Sequence, residues 1–208
     1  MVEGIRVRYV NLFRRIYLKR LKLKLKNKDV SLISSNCTGA TMLHDLGLRF
    51  NSPFVNLWVR PDEYIRLLSD FKTYMSMELK FIKEEGVSYP IGILGDVRIY
   101  FQHYESEEEA RNKWNERKRR INYNNLFILF SDRDGCTKDD LIKFDELPYK
   151  NKIVFTNREY TDIKSAFYIR GFEKEQSVGM CMAFMSEWSY KKYFDQFDAV
   201  SWFNQKSI

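Results

Sequence analysis

Five consecutive apolar residues in "NLFILFS" (125–131) constrain the fold of this chain more than any other stretch. Such a run is typical of a strand that is buried on both faces. "KIVFT" (152–156) is a second continuous apolar strand, and the helical segment "TKDDLIKFDEL" lies between the two. Strands that alternate with helices predict a mostly parallel sheet flanked by helices. The sequence therefore predicts an α/β fold of the Rossmann-like type.

Further strands are predicted at 31–35, 52–59, 89–96, 97–104 and 165–172. The segments 89–96 and 97–104 form either a hairpin or one bent strand around Gly95. The C-terminal segment 182–204 crowds its aromatic residues on one side, which predicts a helix.

The N-terminal segment differs from the rest of the chain in charge. Residues 1–28 contain ten basic residues and one acid, a net charge of +9. Residues 29–208 contain 25 basic and 27 acidic residues and are nearly neutral. The sequence therefore predicts two parts, a basic arm over 1–28 and a single α/β domain over 29–208.

The arm is predicted to be a basic amphipathic helix. "YVNLFRRIYLKRL" places six apolar residues on one helical stripe: Tyr9, Leu12, Phe13, Ile16, Tyr17 and Leu21. A helix of this kind binds an anionic membrane surface, and residues 5–26 are the predicted contact. The alternative is that the stripe packs on the α/β domain and its charges are only solvated. The sequence contains no known nucleic-acid-binding signature, so we expect no nucleic-acid partner.

The three cysteines, Cys37, Cys136 and Cys181, have neither zinc-site nor thioredoxin spacing. Basic residues interrupt the N-terminal apolar stretch, which argues against a secretion signal, and no apolar run approaches the ~20 residues of a membrane span. We therefore expect a cytoplasmic protein with reduced thiols, attached at most peripherally to the inner face of the plasma membrane. No metal ligand is assigned, and the cofactor stays open.

Polar turns follow four of the predicted strands. In parallel sheets, ligands bind beyond the carboxyl ends of the strands, so these turns are candidate binding sites. The candidate ligand-binding residues are Ser35, Asn36, Thr38, Gly39, Asp96, Arg133, Asp134, Asn157 and Arg158. The four turns meet at one edge of the sheet only if their strands are parallel. If one of these strands is antiparallel, we expect it to be the strand before Asp96, whose turn would then lie elsewhere.

Cys37 is the candidate nucleophile, because it lies at the start of a predicted helix. A helix N-terminus lowers a thiol pKa from about 8.5 towards neutral, and its amides bind a phosphate or an oxyanion. His44 and His103 are the candidate bases, although His44 lies ~10 Å along the same helix. The alternatives are an unreactive thiol that contacts a ligand, a buried structural cysteine and histidines that only pack.

The stretch "DRDGCT" supplies Asp132 as a further candidate catalytic residue, which with Arg133 would orient a sugar or a phosphate. Asp132 and Asp134 are similar to the Asp-x-Asp pair with which some sugar-nucleotide transferases hold manganese. A turn explains the same residues, because Gly135 and a capping Thr137 follow. Turn formation, contact with a sugar or phosphate, and metal binding all stay open.

Five stretches together resemble a known family: "NCTGATMLHDLGLRFNSPFVNLWVRPDEYIRLL", "YPIGILGDVRIYFQHY", "KWNERKRRIN", "DRDGCT" and "LPYKNKIVFT". From about Lys28 to Phe203 the chain resembles bacterial proteins labelled exopolysaccharide-biosynthesis proteins, which carry a domain of unknown function. The resemblance implies cytoplasmic work on capsule or exopolysaccharide, with a sugar nucleotide or a lipid-linked saccharide as the partner.

Two classes of function follow. The first is a group transferase acting on a polysaccharide precursor at the inner membrane face. It would work either by acyl transfer through Cys37 or by glycosyl or phosphoryl transfer without a covalent enzyme intermediate. In the latter version the Cys37 turn binds phosphate and Asp134 helps to hold a divalent ion. The second class is a non-catalytic sugar-binding or scaffold protein, which the shortage of histidines and the lack of a known catalytic motif favour.

Overall fold

The structure, a computed structural model, describes residues 2–205, with the side chain of the first of these excluded. Its strands are β1 (Ser31–Ser34), β2 (Lys80–Ile82), β3 (Ile91–Leu94), β4 (Val97–Tyr100), β5 (Leu126–Ser131), β6 (Lys152–Thr156) and β7 (Ala166–Tyr168). Its helices are α1 (Val2–Lys24), α2 (Cys37–Leu46), α3 (Pro61–Ser69), α4 (Phe71–Ser76), α5 (Glu107–Lys118), α6 (Lys138–Glu146) and α7 (Ala199–Phe203), with a 3-10 helix at Tyr193–Gln196.

Four strands form a parallel sheet in the order β1-β5-β6-β7. Alternate residues of β5 enter two different apolar clusters, one on each face of the sheet. Ile128 and Phe130 pack with α3 to α6, whereas Phe127 and Leu129 pack with α2 and the C-terminal segment. Burial of both faces explains why β5 is continuously apolar, and it confirms the predicted α/β class.

The remaining strands form a small antiparallel sheet in the order β2-β3-β4. β3 and β4 are a hairpin whose turn contains Gly95 and Asp96. The turn at Asp96 therefore does not belong to the carboxyl edge of the parallel sheet. Its carboxylate instead accepts hydrogen bonds from Arg66 (2.9 Å) and Tyr74 (2.6 Å).

Two predicted elements differ from the structure. The segment 52–59 is buried but is not a strand, because Pro53 lacks an N–H and Asn56 takes a positive φ of 56°, so only Trp58 forms a β-bridge, with Tyr100. The predicted helix over 182–204 is a mostly irregular segment that ends in the 3-10 helix and α7. Its aromatic residues divide between two surfaces: Tyr190 contacts α1, whereas Trp202 contacts Phe127 of the sheet.

The predicted N-terminal helix is present and continues to Lys24, through most of the alternating "LKLKLK" stretch. One face of α1 packs on the domain through the buried Arg14, whose guanidinium donates hydrogen bonds to Asp45 (2.6 Å) and to Asp195. Lys192 also contacts Asp45, at 2.9 Å. Within the described part of the chain, no helix has both the length and the apolar character needed to cross a bilayer.

Candidate functional site

A cleft of about 430 Å³ opens beyond the carboxyl ends of β1 and β5. It is lined by Asn36, Cys37, Thr38, Leu57, Trp58, Gln102, His103, Arg133, Asp134, Met180 and Met182. The turn that carries the thiol and the turn that carries the aspartates thus open into one cleft, as the parallel arrangement of their strands requires.

Asn36 fixes the turn between β1 and α2. It caps α2, because its side-chain oxygen accepts a hydrogen bond from the backbone N–H of Thr38 (3.0 Å). Its side-chain amide donates to Ser131 Oγ (2.9 Å) at the end of β5. These two contacts hold the first turn of α2 against the neighbouring strand and aim its N-terminus into the cleft.

Cys37 is the first residue of α2, and its thiol is half-buried. Burial raises the pKa of the Cys37 thiol above its usual range, and this outweighs the lowering effects of a backbone hydrogen bond and of the Arg133 charge. This direction is opposite to the predicted fall of the Cys37 pKa towards neutral. Cys37 lies at the helix N-terminus as predicted, but desolvation of its thiol outweighs the backbone hydrogen bond found there.

The two histidines lie in different places. His103 lies in the turn after β4, is exposed and lines the cleft. His44 lies in the last turn of α2, and its side chain is 81% exposed outside the cleft. Of the two candidate bases, only His103 shares the cleft with Cys37.

Asp132 is buried beneath the cleft and is not part of its lining. Its two carboxylate oxygens accept hydrogen bonds from the backbone N–H groups of Val178 (2.7 Å) and Asn157 (2.8 Å). Burial raises the pKa of this carboxyl, although both hydrogen bonds oppose the rise. Asp132 therefore has a structural role, because it joins the turns after β5 and β6 to the backbone at Val178.

Arg133 and Asp134 face the cleft. Asp134 and Gly135 have positive φ values of 61° and 84°, which shows that the predicted turn is present. The Asp134 carboxylate accepts a hydrogen bond from the indole N–H of Trp58 (2.9 Å), and the Arg133 guanidinium donates to the carbonyl of Gly179 (3.3 Å). Among residues 2–205, no cluster of three or more His, Cys, Asp or Glu side chains suits a metal ion.

Trp58 is a cleft residue that sequence reasoning missed. Its backbone N–H and carbonyl pair with Tyr100 (2.9 and 2.8 Å), and the two rings are 4.6 Å apart. The small sheet thereby holds the indole in the cleft wall, beside Asp134. The predicted strand at 52–59 did not indicate that Trp58 lies in the cleft. The predicted helix over 182–204 likewise did not indicate that Met182 lies there.

Four predicted ligand-binding residues lie outside the cleft lining, in addition to Asp96. Ser35 and Asn157 are buried, and the amide of Asn157 donates to the carbonyl of Glu175 (2.6 Å). Arg158 is exposed and donates to the side chain of Asn157 (3.3 Å). At Gly39, an added Cβ would lie 2.5 Å from the Cβ of Ser34, so this glycine permits α2 to pack closely on β1.

Comparison with known proteins adds a family but no activity. A family model described as "Domain of unknown function (DUF1919)" matches residues 8–204. The chain is also similar to an "Uncharacterized protein" of Haemophilus influenzae, with 49% identity over 196 residues that cover 94% of each chain. The match begins inside α1, well before Lys28, so most of the basic helix is part of what the family shares.

Proposed function

The chain belongs to the family of the domain of unknown function DUF1919, and we propose that it is a group transferase of exopolysaccharide or capsule synthesis that binds a sugar nucleotide or a lipid-linked saccharide in the cleft. One observation carries this proposal. Trp58, Asp134, Arg133 and the first turn of α2 converge on the same cleft.

Each of these groups matches one part of a glycosyl phosphate. The indole of Trp58 offers a flat apolar surface to the C–H face of a sugar ring, and the Asp134 carboxylate accepts hydrogen bonds from sugar hydroxyls. The guanidinium of Arg133 binds phosphate, and the N-terminal end of α2 favours the same negative charge. The indole N–H already holds Asp134 in place, so the two sugar contacts are pre-organised.

The raised pKa of Cys37 favours transfer without a covalent enzyme intermediate over acyl transfer through the thiol. In a glycosyl transfer, an acceptor hydroxyl attacks the anomeric carbon of the donor, and the bond from that carbon to the phosphate oxygen breaks. His103 takes the hydroxyl proton, and the phosphate leaves with the electron pair of the broken bond, beside Arg133 and α2.

A non-catalytic sugar-binding protein is the second candidate, and the same raised thiol pKa favours it. Stacking, hydroxyl contacts and phosphate contacts need no reactive group, and they would serve recognition equally well.

Isothermal titration with a panel of nucleoside diphosphate sugars tests the proposal. We expect binding that Trp58→Ala and Arg133→Gln each weaken by at least about tenfold. The matched controls Trp188→Ala and Arg158→Gln change exposed residues outside the cleft lining and should bind like the unaltered protein. Binding that is equal in all four variants would refute the cleft as the binding site.

Turnover separates the two candidates. Release of nucleoside diphosphate in the presence of a saccharide acceptor supports the transferase, and His103→Gln should then lower kcat by about a hundredfold or more while the donor Kd stays unchanged. Binding of the donor without release of nucleoside diphosphate, for every saccharide acceptor that is tried, supports the sugar-binding protein.

A further inference from the structure

Helix α1 has two apolar faces, and only one of them packs on the domain. The inner face contains the buried Val10 and Arg14 and the half-buried Tyr17 and Leu21. The outer face is spaced by four, three, four and seven residues, which is one stripe of a helix. Its residues are Ile5, Tyr9, Leu12, Ile16 and Leu23, with exposed fractions of 60, 40, 55, 40 and 78%. The sequence-based stripe mixed residues of both faces.

The outer face continues onto the C-terminal segment. The ring of Tyr9 lies 5.9 Å from the ring of Trp188, which is 49% exposed, and 4.5 Å from that of Phe13. Arg6 joins the same two elements through an ion pair with Glu187 (3.0 Å). Together, the five outer residues, Phe13 and Trp188 form one exposed apolar surface, which we call the outer surface.

Positive charge borders the outer surface. Arg8, Arg15 and Lys19 are exposed along one side of the stripe, Arg20 is exposed on the other, and the only acid in the helix is Glu3. An apolar centre with a cationic border complements an anionic lipid surface, where acyl chains receive the apolar side chains and headgroups pair with the bases. Nucleic acid offers phosphates but nothing to receive an apolar stripe that is more than half exposed at Ile5 and Leu12.

We propose that the outer surface docks on an anionic phospholipid bilayer, with α1 lying flat in the interface. The 23 residues of α1 give a contact ~34 Å long. The surface is pre-formed, because the ion pairs of Arg14 on the opposite face hold the helix on the domain. Trp188 would anchor the contact at the headgroup level, where indole rings accumulate. This docking is independent of what the cleft binds.

Vesicle co-sedimentation of the full chain tests the proposal. We expect pelleting with vesicles of phosphatidylcholine and phosphatidylglycerol, little pelleting with phosphatidylcholine alone, and release at high salt. Ile16→Glu should lower the partition coefficient by at least about tenfold, since it places a carboxylate among the acyl chains. Ile142→Glu is the matched control, because Ile142 is also 40% exposed but lies on α6. It should pellet like the unaltered chain.

Tryptophan fluorescence gives a second readout. Brominated phospholipids should quench the emission of the unaltered chain, and Trp188→Phe should remove most of that quenching. The proposal is overturned by Ile16→Glu pelleting as well as Ile142→Glu, or by equal pelleting with both vesicle types. It is also overturned if analytical ultracentrifugation shows a dimer that Ile16→Glu dissociates, because the outer surface would then belong to a second copy of the chain.

Discussion

Arg14→Met should destabilise the protein markedly, because the arginine side chain is only 8% exposed and lies between two buried carboxylates. Removing one member of a buried ion pair costs about 3–5 kcal/mol, since it leaves the partner charge uncompensated. Lys192 limits this cost here, because its Nζ remains 2.9 Å from Asp45 and its backbone N–H still donates to Asp195 (2.6 Å). We therefore expect a loss near the lower end, about 3 kcal/mol.

Urea unfolding measures this loss. About 3 kcal/mol corresponds to a fall of about 1–2 M in the urea midpoint, with an unchanged slope. Arg15→Met is the matched control: it removes an exposed charge from the next position of α1 and should change the stability by less than about 0.5 kcal/mol. Equal midpoints for the two variants would refute the stabilising role of Arg14.

The loss of stability caused by Arg14→Met should also depend on pH. Burial by itself would raise the pKa of Asp45, but the hydrogen bonds from Lys192 and Arg14 outweigh burial and hold that pKa below its usual range. A lowered carboxyl pKa in the folded state stabilises the fold above the unfolded value of about 3.9, and the contribution disappears as the pH falls through the folded value. The difference between Arg14→Met and the unaltered chain should therefore be fully present at neutral pH and shrink as the pH falls through the acidic range in which the carboxyls become protonated.

Three further changes have defined outcomes. Gly39→Ala should cost about 1–3 kcal/mol in thermal unfolding, because its Cβ would lie 2.5 Å from that of Ser34, whereas Gly4→Ala, with no atom within 4 Å, should not destabilise. Asp132→Asn should cost about 2 kcal/mol in urea unfolding, because an amide has one acceptor oxygen and its NH2 group would face the second backbone N–H, and an unchanged midpoint would contradict this. Iodoacetamide labelling of Cys37, followed by mass spectrometry, should be slow at pH 7 and accelerate only in alkaline solution, because burial raises the pKa of its thiol; fast labelling at pH 7 would contradict a raised pKa.

The parallel sheet could be predicted because the apolar composition of its strands reflects their burial. Both faces of β5 enter apolar clusters, so its residues must all be apolar, and a continuous run is easy to recognise. The segment 52–59 has the same composition for another reason. Its side chains fill the core while Asn56, with its positive φ, turns the backbone away from strand pairing. Apolar composition reports burial, and in this segment burial did not coincide with a strand.

The polar half of the cleft could be predicted, and the apolar half could not. Residues 36–38 and 133–134 follow parallel strands, so their meeting is a consequence of sheet topology. Trp58 reaches the cleft through the packing of the small sheet, and Met182 through the packing of the C-terminal segment. No periodicity in the sequence predicts either arrangement. The direction of the shift in the Cys37 pKa was not predicted for a similar reason, because the burial of the thiol depends on those same segments.

The contact of α1 with the C-terminal segment has a consequence for synthesis on the ribosome. One partner of Arg14, Asp195, is translated 181 residues later. The side-chain amide of Asn204, which donates to the Lys24 carbonyl, is translated 180 residues after Lys24. Helix α1 can therefore meet α2 early, through Asp45, but its docking is complete only after the C-terminal segment has been made. A nascent chain stalled before residue 190 should bind chaperones through this helix, whereas the completed chain has already covered its inner face.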